Sequence, residues 1–263
     1  MPRTVPAIRL ARTVYPEYDS DRLGAFFACR EVTVDGETVT DPQQKVRTDA
    51  VLEIITRGAY VSRGGYKLEH ALKAFGFDVA SKVVLDAGSS TGGFTDCLLK
   101  HGAAAVHSVD VGYNQLDWSL RSDPRVIVHE RQNIMTLGSL YPPARCAVAD
   151  LSFRSISGAA GHILSLVSDR EMIALIKPQF EVPRGQAGFD GVIRDPELLC
   201  DVMMSVRRTL LDDGVGVQGL TVSPIRGRKG NLEFLALLRP GDGMSEDGYR
   251  SILGQLIGSQ SDS

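Results

Sequence analysis

Val83-Val84-Leu85-Asp86-Ala87-Gly88-Ser89-Ser90-Thr91-Gly92-Gly93-Phe94-Thr95 is the stretch that decides how this chain folds. Val83 to Leu85 reads as a buried strand, Asp86 closes it, Gly88 opens a tight turn, and Gly92-Gly93 leads into a helix. Outward from this unit the pattern alternates. Strands are predicted at Val106 to Asp110, Val126 to His129, Cys146 to Asp150, Met172 to Ile176, Val215 to Val222 and Leu232 to Leu238. Helices fit Gly93 to His101, Gln115 to Arg121, Ile156 to Val167 and Pro196 to Leu211, and Tyr249, Ile252, Leu253, Leu256 and Ile257 suggest a closing helix. Such alternation implies an α/β fold with a mostly parallel sheet covered by helices, and ligands at the carboxyl ends of its strands. The last two strands have no helix between them and are expected to pair antiparallel at one edge.

Upstream, Arg22 to Cys29 has helical spacing, and Val32-Thr33-Val34-Asp35-Gly36-Glu37-Thr38-Val39 reads strand, turn, strand with an Asp-Gly turn signal. Residues 1-56 are therefore expected to form a small module, residues 57-65 a glycine- and arginine-bearing linker, and residues 66-263 the main domain. The 263-residue length suits one large domain with a small companion. Apolar residues at 43% and charged residues at 23% exclude a disordered chain. The net charge of −3 gives no global attraction to polyanions.

Cys29, Cys97, Cys146 and Cys200 form no C-x-x-C pair, so neither a zinc site nor a disulfide framework is expected. No apolar run exceeds five residues, against the ~20 that a membrane helix needs. Met1-Pro2-Arg3 is not followed by a signal-peptide core, and the expected location is the cytoplasm.

The glycine turn matches neither G-x-G-x-x-G nor the phosphate-binding G-x-x-x-x-G-K-[ST], which disfavours nicotinamide dinucleotides and nucleoside triphosphates. Gly88, Ser89, Thr91, Gly92, Gly93 and Phe94 are instead candidates for a cofactor cradle. Asp86 suits the ammonium of a methionine moiety, and Asp110, one strand later, can take both hydroxyls of a ribose. Two acidic residues at consecutive strand ends argue for S-adenosylmethionine. Asn133 offers an amide for an adenine edge. The plainer alternatives are a helix cap for Asp86 and a solvated turn for Asn133.

Asp150 and Lys177 close two further strands, Lys67 lies in the entry segment, and Glu233 alternates with Leu232 and Phe234 in an apolar strand. Charges so close to apolar walls need partners. Gathered at one site, a lysine among them has the chemistry of a general base toward a sugar hydroxyl; ordinary salt bridges are the alternative for Lys67 and Glu233. The histidines show no clustering of the kind that a triad or metal site requires, and Ser152 lacks the G-x-S-x-G elbow. Residues 57-82 and 224-239 each carry a net +3, and Arg226-Gly227-Arg228-Lys229-Gly230 reads as a phosphate-contacting loop, or else a solvated basic one.

The motifs Tyr60-Val61-Ser62-Arg63-Gly64-Gly65-Tyr66-Lys67-Leu68, Leu85 to Thr95, Asp110-Val111-Gly112-Tyr113, Ala149-Asp150-Leu151-Ser152-Phe153, Ile176-Lys177-Pro178-Gln179-Phe180-Glu181-Val182 and Gly230-Asn231-Leu232-Glu233-Phe234 run along nearly the whole chain. Through them it resembles the TlyA family, also called hemolysin A, of bacterial ribosomal RNA 2'-O-methyltransferases. The resemblance implies an FtsJ-type, Rossmann-like S-adenosylmethionine-dependent methyltransferase domain behind a small S4-like α+β RNA-binding domain. It also implies a catalytic tetrad falling on Lys67, Asp150, Lys177 and Glu233, Asp150 also bordering the cofactor, with Lys177 activating the 2'-hydroxyl. The substrate it implies is cytidine ribose in ribosomal RNA of one or both subunits. Expected RNA contacts are Arg9, Arg12, Arg22, Arg30, Arg57, Arg63, Arg226, Arg228 and Lys229. Arg30 stands where a turn glycine is usual, and residues 1-56 count seven Lys+Arg against nine Asp+Glu, so bulk charge does not hold RNA there. A membrane-damaging cytolysin and a non-catalytic RNA-binding assembly protein are the competing classes.

Overall fold

In the computed structural model, the residues described are 4-16, 18-28, 31-54, 59-151, 155-182, 189-227 and 229-259, with the side chains at 21, 22, 25 and 28 set aside. They divide into two compact units, Met1–Gly58 and Ala59–Ser263.

The first unit begins with β1 (Thr4–Pro6), α1 (Ala7–Val14) and α2 (Ser20–Ala28). Then follow β2 (Val32–Val34), β3 (Glu37–Thr38), β4 (Lys45–Arg47) and β5 (Leu52–Ile54). Asp35 and Gly36, at φ 49° and 85°, make the hairpin turn between β2 and β3, as an Asp-Gly pair does where both central residues need positive φ. β5 pairs along the other side of β2. Ala7, Leu10 and Ala11 of α1 join Leu23, Phe27, Val32 and Leu52 in a core belonging to this unit alone.

The second unit opens with residues 59-63, which are not a free linker. The Asp96 carboxylate accepts from Val61 N at 2.8 Å, Tyr66 Oη accepts from Ala59 N at 2.7 Å, and Tyr60 is buried. α3 (Gly64–Phe75) starts at once and ends at Gly76 in the left-handed conformation. Next come β6 (Val83–Ala87), α4 (Gly93–Lys100), β7 (Ala105–Val109), α5 (Trp118–Arg121), β8 (Val126–His129), β9 (Cys146–Ala149), α6 (Ser157–Ser165) and β10 (Met172–Ile176). The unit closes with α7 (Pro178–Glu181), α8 (Pro196–Asp212), β11 (Val215–Val222), β12 (Phe234–Pro240) and α9 (Glu246–Gly258).

The sheet order is β11-β12-β10-β9-β6-β7-β8. Strands β10, β9, β6, β7 and β8 are parallel neighbours, while β12 runs antiparallel to both β10 and β11. Successive side chains alternate between faces. Val84, Val106, Val148, Ile173 and Leu235 therefore pack with α3 and α4, while Leu85, Ala147, Ala174 and Phe234 pack with α6, α8 and α9. Chain order reverses at β6, which has β7 on one side and β9 on the other. In open α/β sheets this switch point leaves a crevice at the strands' carboxyl ends.

Two sequence expectations need correction. The helix expected from Gln115 begins only at Trp118, because the Asp117 side chain caps it by accepting from Ser119 N at 2.9 Å. Glu233 lies just before β12 and not within it, with its backbone carbonyl accepting from Ser223 N.

Candidate active site

The glycine turn sits over the switch point. Gly88 N and Ser89 N both donate to Val109 O, at 2.8 and 3.1 Å, which folds the turn back across the end of β7. Gly88 has φ +88°, and a Cβ there would stand 2.4 Å from the carbonyl oxygen of Asp150. Only glycine fits a left-handed turn pressed against a neighbouring strand end. Gly92, at φ +96°, turns the chain into α4.

Beside this turn Asp110 presents its carboxylate, with Oδ2 accepting from Ser90 N at 2.8 Å and Oδ1 from Gly112 N at 2.7 Å. Each oxygen retains acceptor capacity for a hydroxyl. The Asn133 side chain accepts from Met135 N at 3.0 Å and so caps a short helical turn at Ile134–Thr136, while the residue also borders the crevice.

The crevice is a cavity of about 1040 Å³. Gly88, Ser89, Thr91, Gly93, Phe94, Asp110 and Asn133 of the expected cradle line it, with Asp150 at their edge. So do Lys67, Lys177 and Glu233, which brings four ionic residues spread over 167 positions of sequence to one cavity. They form two pairs. Lys177 Nζ lies 2.5 Å from Asp150 Oδ1, joining the ends of neighbouring parallel strands β10 and β9. Lys67, on the first turns of α3, pairs with Glu233, and both side chains are almost wholly removed from water at 11% and 4% exposure. A carboxylate and an ammonium so enclosed hold each other in place, because neither could be left alone there.

Asp86 and Gly92 do not line the cavity. Asp86 is fully buried behind the glycine turn, its Oδ2 accepting from Thr95 Oγ1 at 2.6 Å, and Thr95 Oγ1 lies 2.7 Å from Ser108 Oγ. It shares its sheet face with Val84, so it points at α4 and not at the crevice. Direct contact with a methionine ammonium is thus corrected to a place in the layer beneath. Nor is it a helix cap, since Gly92 holds that position. Burial pushes its carboxyl up to about 7, the Thr95 hydroxyl pulls it back, and the Asp150 charge adds to the rise.

Of the expected RNA contacts, Arg63, Arg226 and Lys229 line the cavity. Arg9 and Arg12 are exposed on α1 of the first unit, with Arg12 donating to Ser20 Oγ at 2.8 Å. Arg30, Arg57, Arg228 and the side chain of Arg22 lie outside the described residues. The sequence reading assigns no role to Phe180, Gly191 or Asn231, all of which line the cavity. Asn231 stands inside a quoted motif, two residues before Glu233, and that proximity is the signal that could have found it.

The groups present suit S-adenosylmethionine. Asp110 offers two acceptors at a strand end for vicinal hydroxyls, Val111 and Ile134 give apolar surface beside it, and the side-chain-free Gly88 and Gly93 allow close approach.

The family model of FtsJ-like methyltransferases matches residues 60–239. The 16S/23S rRNA (cytidine-2'-O)-methyltransferase TlyA of Mycobacterium tuberculosis is 42% identical over 214 residues, covering 80% of each chain. Hemolysin A of Brachyspira hyodysenteriae is 42% identical over 209 residues, covering 78% of this chain and 87% of that one. Among solved structures, a hemolysin from Streptococcus thermophilus superposes with a TM-score of 0.70 at 32% identity, covering both chains completely.

Proposed function

The chain belongs to the FtsJ-like methyltransferase family, and on that premise we propose that it methylates the 2'-hydroxyl of cytidine in ribosomal RNA, with S-adenosylmethionine as donor. The observation that carries this reading is the presence of two lysine-carboxylate pairs in the cavity that the glycine turn and Asp110 also line.

The cofactor supplies an electrophilic methyl group on a sulfonium. The residues around it handle the proton and the charge. Lys177 would serve as the base that takes up the proton of the ribose 2'-hydroxyl when that oxygen receives the methyl group of the bound donor. Asp150, 2.5 Å away, stabilises the ammonium that develops. Lys67, fixed by Glu233, places a positive charge near the oxygen as it sheds its proton. Asp110 orients the donor through its ribose.

Arg63, Arg226 and Lys229 provide cations for phosphates around the reacting ribose. Residues 1-56 act as the S4-like module that docks on folded RNA, through Arg9 and Arg12 on α1 and not through bulk charge. The proposed ribosomal substrate is met in the cytoplasm, which supports that location for the protein. No described helix is long and apolar enough to cross a membrane.

Incubation of the purified protein with S-adenosylmethionine labelled in the methyl group and with isolated small and large ribosomal subunits tests the reading. Label is expected in 2'-O-methylcytidine, recognised because its 3'-phosphodiester resists alkaline cleavage. Label on a base, or none on either subunit, would overturn it. Lysis of red cells by protein that cannot bind the cofactor would favour the cytolysin reading.

A further inference from the structure

Asn231 is only 4% exposed, and its carboxamide is used in both directions. The side-chain oxygen accepts from Ile193 N at 2.9 Å, and Nδ2 donates to Gly191 O at 2.8 Å, across some forty positions of sequence. Its backbone oxygen accepts from Gly227 N at 3.0 Å, and Gly230 N donates to Gly227 O at 2.8 Å, which closes the basic turn. Two residues on, Glu233 pairs with Lys67. One residue thus ties the 191-193 strip to the basic turn, through its side chain on one side and its backbone on the other, in the cavity that Glu233 also lines.

The strip it holds has its own feature. Gly191 lies at φ +88°, and a Cβ there would stand 3.3 Å from Lys229 Nζ, so the ammonium rests over bare backbone. Gly191, Lys229 and Asn231 all line the cavity. The requirement at position 231 is chemically narrow. A carbonyl at 191 needs a donor and an N–H at 193 needs an acceptor, and an amide side chain supplies them from two separate atoms on one short stem.

We infer that Asn231 is a positioning residue that holds the Lys229 ammonium over Gly191 as a seat for a phosphodiester of the RNA next to the reacting ribose. The inference rests on the proposed RNA methylation and adds to it the group that sets the substrate side of the cavity. Neither residue touches the reacting atoms.

The test uses the full chain, ribosomal subunits, and the variants Asn231→Ala, Asn231→Asp, Lys229→Met and Asn231→Ala/Lys229→Met. Asn231→Asp keeps the acceptor and loses the donor; Lys229→Met changes an exposed side chain and leaves the fold intact. Asn231→Ala and Lys229→Met are each expected to raise KM for RNA about tenfold, as the loss of one charge-assisted contact does, with kcat within about threefold. Affinity for S-adenosylmethionine, measured by calorimetry, stays unchanged. Asn231→Asp falls between wild type and Asn231→Ala. The double variant is expected to be little worse than either single one, because both remove the same seat. Lys229→Met also lowers the salt dependence of RNA binding by about one phosphate contact. Effects that multiply in the double variant, a fall in kcat at constant KM, or a parallel loss of cofactor affinity would each overturn the inference. If wild-type protein transfers no methyl to RNA, the proposed function fails, and RNA dissociation constants of the same variants still decide whether the seat exists.

Discussion

Lys67 and Glu233 form an ion pair that water scarcely reaches, so separating them has a cost that follows from their burial. Lys67→Met leaves the Glu233 carboxylate enclosed without a cation, and Glu233→Met leaves the Lys67 ammonium without an anion. Each single change is expected to lower stability by about 3–5 kcal/mol, the usual cost of stranding one member of a buried pair. The double variant puts two apolar side chains of similar volume in the same space and is expected to regain most of that loss, ending within about 1 kcal/mol of wild type. Urea unfolding followed by circular dichroism on all four proteins gives the coupling energy directly. Losses that simply add in the double variant would refute the reasoning, because they would mean the two groups do not depend on each other. Methyl transfer is expected to be lost in all three variants, including the stable one, which separates the pair's role in folding from its role at the site.

Two further outcomes follow from the glycine turn and the layer beneath it. Gly88→Ala forces a Cβ to within 2.4 Å of a backbone oxygen at a positive φ, a strain of roughly 1–3 kcal/mol; calorimetry should find S-adenosylmethionine binding weakened at least about tenfold, and unchanged binding would contradict the cradle. The Asp86 carboxyl, pushed up to about 7 by burial, binds its proton more tightly in the folded chain than in the unfolded one, so its contribution is most favourable below about pH 4 and is lost as pH rises to 7. Asp86→Asn cannot ionise, and it should gain roughly 2–3 kcal/mol relative to wild type between pH 5 and pH 8 in urea unfolding, whereas a difference that stays constant with pH would remove the buried carboxyl from the account.

Much of this arrangement is legible in the sequence because it rests on local patterns. The apolar runs at β6, β9 and β10 end in Asp86-Ala87, Asp150 and Lys177, and parallel neighbours bring such strand ends together. The Asp-Gly hairpin at residues 35 and 36 is equally local. For Asp86, period-two alternation from Val84 already sets the side chain against α4. Leu232 and Phe234 on either side of Glu233 predict a strand position for it, whereas the pairing with β10 starts only at Phe234. The join between Asn231 and the 191-193 strip could not be read at all. It depends on two loops meeting from distant parts of the chain, and neither has a periodicity to announce it. The same holds for the 59-61 segment, which stands between glycines that suggest a linker but whose backbone is held by Tyr66 and Asp96.

The role of Lys177 is tested most directly by Lys177→Met, assayed for methyl transfer to ribosomal subunits alongside calorimetric binding of S-adenosylmethionine. Transfer is expected to fall by about 10²–10⁴, the usual contribution of a positioned base, with cofactor affinity within about twofold of wild type. Transfer at the wild-type rate would contradict the proton's passage to Lys177, and so would a collapse of cofactor affinity that accounts for the whole loss.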